Sequence, residues 1–132
     1  MPMVRYSDGS VGGCCDRWAD MVLDSAGVGH VVMPENFQGS TRLIHTWWDG
    51  NSWSVPVQVT DPTASWAFRS KIAISEGNKL HVVWDGAPGD AYPGWGDLEI
   101  YYSTYQTSAP HIPPRPFTNY RVYLPLVTCR AF

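Results

Sequence analysis

Three aspartates close together in the sequence have the chemistry of a cation site. Asp85, Asp90 and Asp97 lie in one glycine-rich segment, DGAPGDAYPGWGD. Hard cations such as Ca²⁺ take about six to eight oxygen ligands, which carboxylates and loop carbonyls supply. The segment lacks the ordered spacing of an EF-hand loop, so a solvated loop is the competing interpretation. Calcium at these residues is the one cofactor considered, and no other is predicted.

Tryptophan is frequent in this chain, at 7 of 132 residues. A tryptophan beside polar groups can stack on a sugar ring while its neighbours bind the hydroxyls. Trp95 is the strongest candidate because it lies in the long glycine-rich segment. The predicted ligand-binding residues are Trp95, Tyr92, Asp97, Trp48 and Asp49. Trp48 also falls within a strand pattern, as does Trp84, and core packing is the alternative for both.

Two histidines occupy equivalent positions in the phrases GHVVM and LHVVW. A residue that recurs in each copy of a repeat normally has a structural role, so we predict that His30 and His81 pack in the core. Metal binding or acid–base chemistry is the alternative. No residue is predicted to be catalytic.

The three cysteines are an odd number, and none forms a CxxC pair. A structural zinc site is therefore not expected. Adjacent cysteines seldom bond to each other because the ring strains the peptide. We predict a disulfide between Cys129 and either Cys14 or Cys15, which would tie the two ends of the chain together.

These residues are positioned by two copies of one predicted β-hairpin. Setting DMVLDSAGVGHVVM over KIAISEGNKLHVVW pairs Met21 with Ile72 and His30 with His81, at a spacing of 51 residues. Each copy has a short apolar strand, a polar turn and a valine-rich strand, which is a hairpin pattern. Repeats at about this spacing are typical of propellers and solenoids.

A third strand follows each hairpin. Aligning Ile44 with Ile100 leaves five extra residues in the second connection. In the first copy a fourth strand is predicted from Trp53 to Val59, and Pro56 limits it to a sheet edge. Units of three to four antiparallel strands follow the plan of a propeller blade. We predict an all-β fold of about two propeller-type blades, without substantial helix.

The predicted organisation has five parts. They are an N-terminal strand and loop (1–18), two blades (19–62 and 63–105), a proline-rich linker (106–118) and a C-terminal strand or tail (119–132). The net charge of −3, with acidic and basic residues well mixed, gives no electrostatic surface for nucleic acid. No apolar run approaches the roughly 20 residues of a membrane span, so none is predicted.

Several phrases in these units resemble the blades of secreted bacterial β-propellers of the sialidase-like, BNR-repeat type. They are IAISEGNKLHVVWD, LEIYYS and WWDGNSWSVPVQVT. The closing phrase VYLPLV, after the proline-rich linker, is similar to the C-terminal tail of many exported bacterial proteins. The resemblance implies a protein that is secreted or held at the cell surface. The family's Asp-box pattern, Ser-x-Asp-x-Gly-x-x-Trp, is not intact here, so catalysis is not carried over.

A sialidase would need an arginine cluster, a tyrosine activated by a glutamate, and an acid. Candidates by residue type are Arg42, Arg69, Tyr101, Glu99 and Asp85, although no spacing identifies them. Two functions stay open. The first is a non-catalytic extracellular module for assembly or scaffolding, with carbohydrate as a further candidate partner. The second is a fragment of a sialidase-like glycoside hydrolase.

Two blades would leave an apolar face at each end of the pair. Repeat units cannot bury such faces alone. We therefore predict that the chain associates with itself, as a homo-oligomer or a filament.

Overall fold

The chain folds into β-strands joined by turns. The computed structural model describes residues 18–37, 40–61, 66–87 and 98–113. The strands are β1 (Asp20–Leu23), β2 (Gly29–Phe37), β3 (Ser40–Trp48), β4 (Val57–Gln58), β5 (Trp66–Ser75), β6 (Lys79–Ala87) and β7 (Glu99–Gln106). These ranges contain no α-helix, and the predicted all-β class is confirmed. Among the described residues there is also no helix long and apolar enough to cross a membrane.

The strands form two antiparallel meanders. The first meander is β1-β2-β3, with the short β4 paired to β3, and the second is β5-β6-β7. A single parallel pair, Thr41 with Trp66, joins the two meanders into one open sheet of 7 strands. Packing of side chains, and not a backbone ladder, therefore holds the two meanders together.

The hairpin repeat seen in the sequence is present in the structure, and its two copies have the same strand register. Met21 pairs with Val31 in the first meander, and Ile72 pairs with Val82 in the second. Adding 51 to both members of the first pair gives the second pair. The prediction of two equivalent hairpins is therefore confirmed.

The turns of the two hairpins contact each other. The amide of Ser25 donates to the carbonyl of Gly77 at 2.8 Å. A Cβ atom on Gly77 would lie 2.9 Å from Cβ of Ser25, and the glycine has φ +72°. Only glycine allows this approach without strain.

The third strand of the second meander is shifted by one residue from the predicted alignment. Ile44 pairs with Met33, and the equivalent pair in the second meander is Tyr101 with Trp84. Tyr101, not Ile100, is thus the counterpart of Ile44, and the second connection is six residues longer instead of five. Exposure agrees, since Ile44 is 1% exposed and Ile100 is 79% exposed. A slip of one residue moves a side chain to the opposite face of a sheet.

The predicted fourth strand is mostly absent. Between Trp53 and Val59, only Val57–Gln58 pairs as a strand with β3, and Trp53 makes one isolated bridge to Trp48. Pro56 has no amide hydrogen to donate to a ladder. The hydroxyl of Ser54 binds the backbone amide of Trp47 at 3.0 Å in place of a regular ladder bond.

Each meander has two faces, which are named here by the side chains they carry. The relay face carries His30 in the first meander and His81 in the second, and the reverse face is the opposite side. The relay face of the first meander includes Val22, His30, Val32, Leu43, His45 and Trp47. The reverse face of the second meander includes Ile72, Ile74, Leu80, Val82, Trp84 and Tyr101.

The main core lies between these two faces. Val32 and Leu43 of the first meander form one buried cluster with Leu80, Val82 and Trp84 of the second. Strand β5 crosses all three strands of the first meander. Burial of so much apolar surface is the dominant stabilising contribution to the fold.

Hydrogen bonds also connect the two meanders. The backbone amide of Ile72, at the edge of β5, donates to Oδ2 of Asp20 at 3.1 Å. The hydroxyl of Ser70 donates to the carbonyl of Trp18 at 3.2 Å. The first residues of the predicted linker lie against the turns, where the amide of Ile112 donates to the carbonyl of Glu76 at 2.7 Å.

Several predicted features lie outside the described residues. They are Cys14, Cys15 and Cys129 with their predicted disulfide, the N-terminal strand, the second half of the linker and the C-terminal tail. The disulfide stays a prediction.

Candidate functional site

A hydrogen-bonded relay of three buried side chains runs through the relay face of the first meander. Nε2 of His30 lies 3.2 Å from Oδ2 of Asp24, and Nδ1 of His30 lies 3.0 Å from Nε2 of His45. Asp24 directly follows β1, His30 lies in β2 and His45 lies in β3. All three are buried. We call them the first relay.

The turn after β1 keeps the carboxylate of Asp24 ionised. Burial alone would raise the pKa of Asp24, but amide hydrogen bonds from Val28 and Ala26 and the interaction with His30 outweigh burial and lower it. Both amides donate to Oδ1 at 2.9 Å. Because an ionised carboxylate only accepts, His30 donates to Asp24 through Nε2.

His45 is neutral at neutral pH. Burial disfavours the charged ring, electrostatic repulsion from His30 acts in the same direction, and together they lower the pKa of His45 to about 4. A neutral imidazole has one donor nitrogen and one acceptor nitrogen. Nε2 is engaged with His30, and no hydrogen bond joins Nδ1 to any residue in the described ranges.

The second meander carries a counterpart of this relay at the same repeat positions. Ser75, His81 and Tyr102 replace Asp24, His30 and His45. Nε2 of His81 lies 2.7 Å from Oγ of Ser75, and Nδ1 lies 2.7 Å from the hydroxyl of Tyr102. The paired rings are nearly parallel in both copies, at 19° and 23°. We call this group the second relay.

The two relays differ in their surroundings. The first is covered by the second meander, whereas Tyr102 of the second is exposed. The predicted core role is therefore right for His30 and only partly right for His81, which is half-buried. The relays themselves were not predicted, although one signal existed. Asp24 and Ser75 precede the two histidines by the same interval of six residues.

A cleft of about 320 Å³ opens between the two meanders beside the first relay. It lies between β3 and β4 on one side and β6 and β7 on the other. Its lining residues are His45, Trp47, Val57, Gln58, Val59, Leu80, Val82, Ser103, Thr104 and Tyr105. The rings of Trp47 and Tyr105 flank His45, with centroids 5.5 and 5.6 Å from the imidazole centroid. The cleft is thus mostly apolar, with three aromatic walls.

Of the three residues of the predicted cation site, only Asp85 lies within the described ranges. Asp85 is buried, and its Oδ2 accepts from Nε of Arg69 at 2.8 Å, so an ion pair already balances its charge. Asp90 and Asp97 lie outside the described residues. Within the described ranges no three His, Cys, Asp or Glu side chains group as metal ligands. Calcium stays an untested prediction.

Of the predicted carbohydrate-binding residues, Trp48 and Asp49 lie within the described ranges. Trp48 is half-buried at the end of β3, and its ring centroid lies 5.5 Å from that of Trp53. Oδ1 of Asp49 accepts the amides of Asn51 and Ser52 at 2.8 Å, so this carboxylate builds the turn. These hydrogen bonds lower the pKa of Asp49. Trp95 and Tyr92 lie outside the described residues.

The candidates for sialidase chemistry do not converge in the described part of the chain. Arg42 pairs with Glu35 at 2.7 Å in the first meander, and Arg69 pairs with Asp85 in the second. The hydroxyl of Tyr101 does donate to Oε2 of Glu99, at 3.3 Å. However, burial, together with the charge and hydrogen bond of Glu99, raises the pKa of Tyr101, which disfavours a phenolate nucleophile.

Comparisons with known proteins identify no relative of this chain. No protein-family model, no curated protein and no solved structure matches this chain.

Proposed function

We propose that this chain is a non-catalytic repeat module of the β-propeller type that acts in assembly or scaffolding, outside the cell or on its surface. The order in which the meanders stack supports this function. The relay face of the first meander lies against the reverse face of the second. Antiparallel meanders stacked in succession follow the plan of propeller blades.

The two faces that this contact does not use carry exposed apolar side chains, although Met33 and Ile44 on the reverse face of the first meander are buried. Val83, Ile100 and Tyr102 are exposed on the relay face of the second meander. Met21 and Leu23 are exposed on the reverse face of the first. Apolar side chains grouped on an exposed face mark sites of interaction.

The proposal rests on a difference in exposure at one repeat position. Val32 and Val83 are equivalent, yet Val32 is 0% exposed and Val83 is 40% exposed. The difference arises because a reverse face covers Val32 and no meander in the described ranges covers Val83. The reverse face of another copy is therefore the complementary partner for the second relay face. Such head-to-tail contacts close into rings or continue as filaments, and three copies would supply about six blades.

The proposed location rests on the sequence. The blade phrases and the closing VYLPLV resemble exported bacterial proteins. Carbohydrate remains a second candidate partner, supported by the paired rings of Trp48 and Trp53, which form a half-buried aromatic surface.

Light scattering coupled to size exclusion tests the assembly. The unmodified protein should elute with a mass well above the 14.7 kDa of one chain. Tyr102→Arg should shift it to a monomer, because the new charge would be buried in the contact between copies. Val55→Arg is the matched control, since Val55 is exposed on the loop before β4 and should leave the mass unchanged. A compact monomer of the unmodified protein at all concentrations would overturn the proposal.

A further inference from the structure

We propose that the cleft between the two meanders binds a small, neutral, ring-shaped compound that bears a hydroxyl group, of the phenol type. The cleft lies inside one chain, next to the first relay, and its lining includes none of the exposed apolar residues named for assembly. Its volume of about 320 Å³ is sufficient for one or two six-membered rings.

The lining excludes a charged ligand. No aspartate, glutamate, lysine or arginine is among the ten lining residues, and the low pKa of His45 keeps that ring neutral. An ionic ligand would lose its hydration without gaining a partner of opposite charge.

The lining also favours a flat and largely apolar ligand. Trp47 and Tyr105 present aromatic walls, and Val59, Leu80 and Val82 contribute aliphatic surface. Aromatic side chains contact another ring favourably by stacking or edge-to-face packing. A planar ring thus fits the shape and the chemistry of the cleft.

Few polar groups are available for the ligand. The amide of Gln58 is already engaged, since its Oε1 accepts from Arg42 at 3.2 Å and its Nε2 donates to the carbonyl of Thr60 at 3.1 Å. The remaining hydrogen-bonding groups of the lining are His45, the hydroxyls of Ser103, Thr104 and Tyr105, and the indole nitrogen of Trp47. A phenol needs a partner for one hydroxyl, whereas a sugar would need a partner for each of several hydroxyls in a mostly apolar cleft.

The first relay explains why that polar group should be a hydroxyl. If His30 donates to His45, then Nδ1 of His45 carries the hydrogen and acts as a donor. If His45 donates to His30, then Nδ1 is an acceptor. A hydroxyl complements either form, because it both donates and accepts.

Titration with simple probes tests the site. Phenol, toluene, benzoate and methyl glucoside would each be titrated into the full chain, with binding followed by nuclear magnetic resonance of the His45 ring and by calorimetry. Phenol should bind, and toluene should bind about tenfold more weakly because it lacks the hydrogen bond. Benzoate and the glucoside should not bind measurably.

Two variants locate the binding. Val57→Trp should fill the cleft and abolish phenol binding, and it should be tolerated because Val57 is exposed on β4. Val55→Trp is the matched control, since Val55 lies two residues earlier and outside the lining. Equal affinity for phenol and toluene, preferential binding of the glucoside, or phenol binding that survives Val57→Trp would each overturn the proposal.

Discussion

His30 and His81 stand 51 residues apart at the same position of a structural repeat, and each ring bridges a side chain before its strand and one on the neighbouring strand. Only His30 is fully buried, because the second meander covers it and not its counterpart. The same hydrogen-bond geometry is therefore present once inside the protein and once near its surface. This difference allows the energetic role of the relay to be measured within one molecule.

The stability of the fold should depend on pH through His45. The pKa of His45 is lowered to about 4 in the folded chain, against about 6.5 when unfolded. Because the folded pKa is the lower one, the unfolded chain binds the proton more readily between these values. The contribution is complete above pH 6.5 and falls by up to about 3 kcal/mol as the pH drops to 4. Urea unfolding from pH 4 to 8 should show this slope, and His45→Gln should flatten it.

The carboxylate of Asp24 should contribute strongly to stability. Asp24→Asn replaces one carboxylate oxygen with an NH2 group, which must face either the donor nitrogen of His30 or the donating amides of Ala26 and Val28. We therefore expect a loss of about 1 to 3 kcal/mol in the free energy of unfolding. Ser75→Ala removes the equivalent partner of His81 at a more exposed site and should cost under about 1 kcal/mol. Urea titrations at pH 7 measure both. Equal losses would show that burial does not distinguish the relays.

Gly77 should tolerate substitution poorly. In Gly77→Ala the new Cβ would meet Ser25 at 2.9 Å and Ile112 at 3.0 Å, in a backbone with φ +72°. We expect a cost of about 1 to 3 kcal/mol in thermal or urea unfolding. Gly50→Ala is the control, because Gly50 has φ +99° but no atom within 4 Å of the added carbon. A similar cost in both variants would assign the whole effect to backbone conformation.

Carbohydrate binding, if present, should depend on the predicted tryptophans. Trp95→Ala should abolish binding on a glycan array and leave the melting temperature nearly unchanged, because a ligand-facing ring contributes little to the core. Trp48→Ala should lower the melting temperature as well, since Trp48 packs against Trp53. A large stability loss in Trp95→Ala would assign that residue to the core, and no binding by the unmodified protein would remove carbohydrate as a partner.

The two hairpins were predictable because their signal is local. Alternating apolar residues and a polar turn specify a hairpin, and Met21 to Val32 and Ile72 to Val83 repeat that pattern in one register. The register of the third strand could not be predicted from such a local pattern. Ile100 and Tyr101 are both apolar neighbours after a long connection, so the pattern alone did not decide which one faces the core. Pairing with Trp84 decided it.

The candidate site was less predictable because it depends on stacking. His45 belongs to the first meander, and Leu80 and Tyr105 of the second complete the cleft around it. No local pattern shows which face of one meander will lie on which face of the next. The aligned pairs Asp24 with Ser75 and His30 with His81 were visible, but His45 and Tyr102 share no side-chain type that would have marked them as equivalent.

The hydrogen bond from the amide of Ile72 to Asp20 makes the contact between the meanders depend on which meander comes first in the chain. The position equivalent to Asp20 in the second meander is Lys71, whose ammonium group can only donate. A chain permuted so that the second meander comes first would set a donor against a donor at this contact and could not remake the bond. Any junction between two copies would also lack it and should be the weaker one, separating in denaturant before the meanders of each chain part from each other.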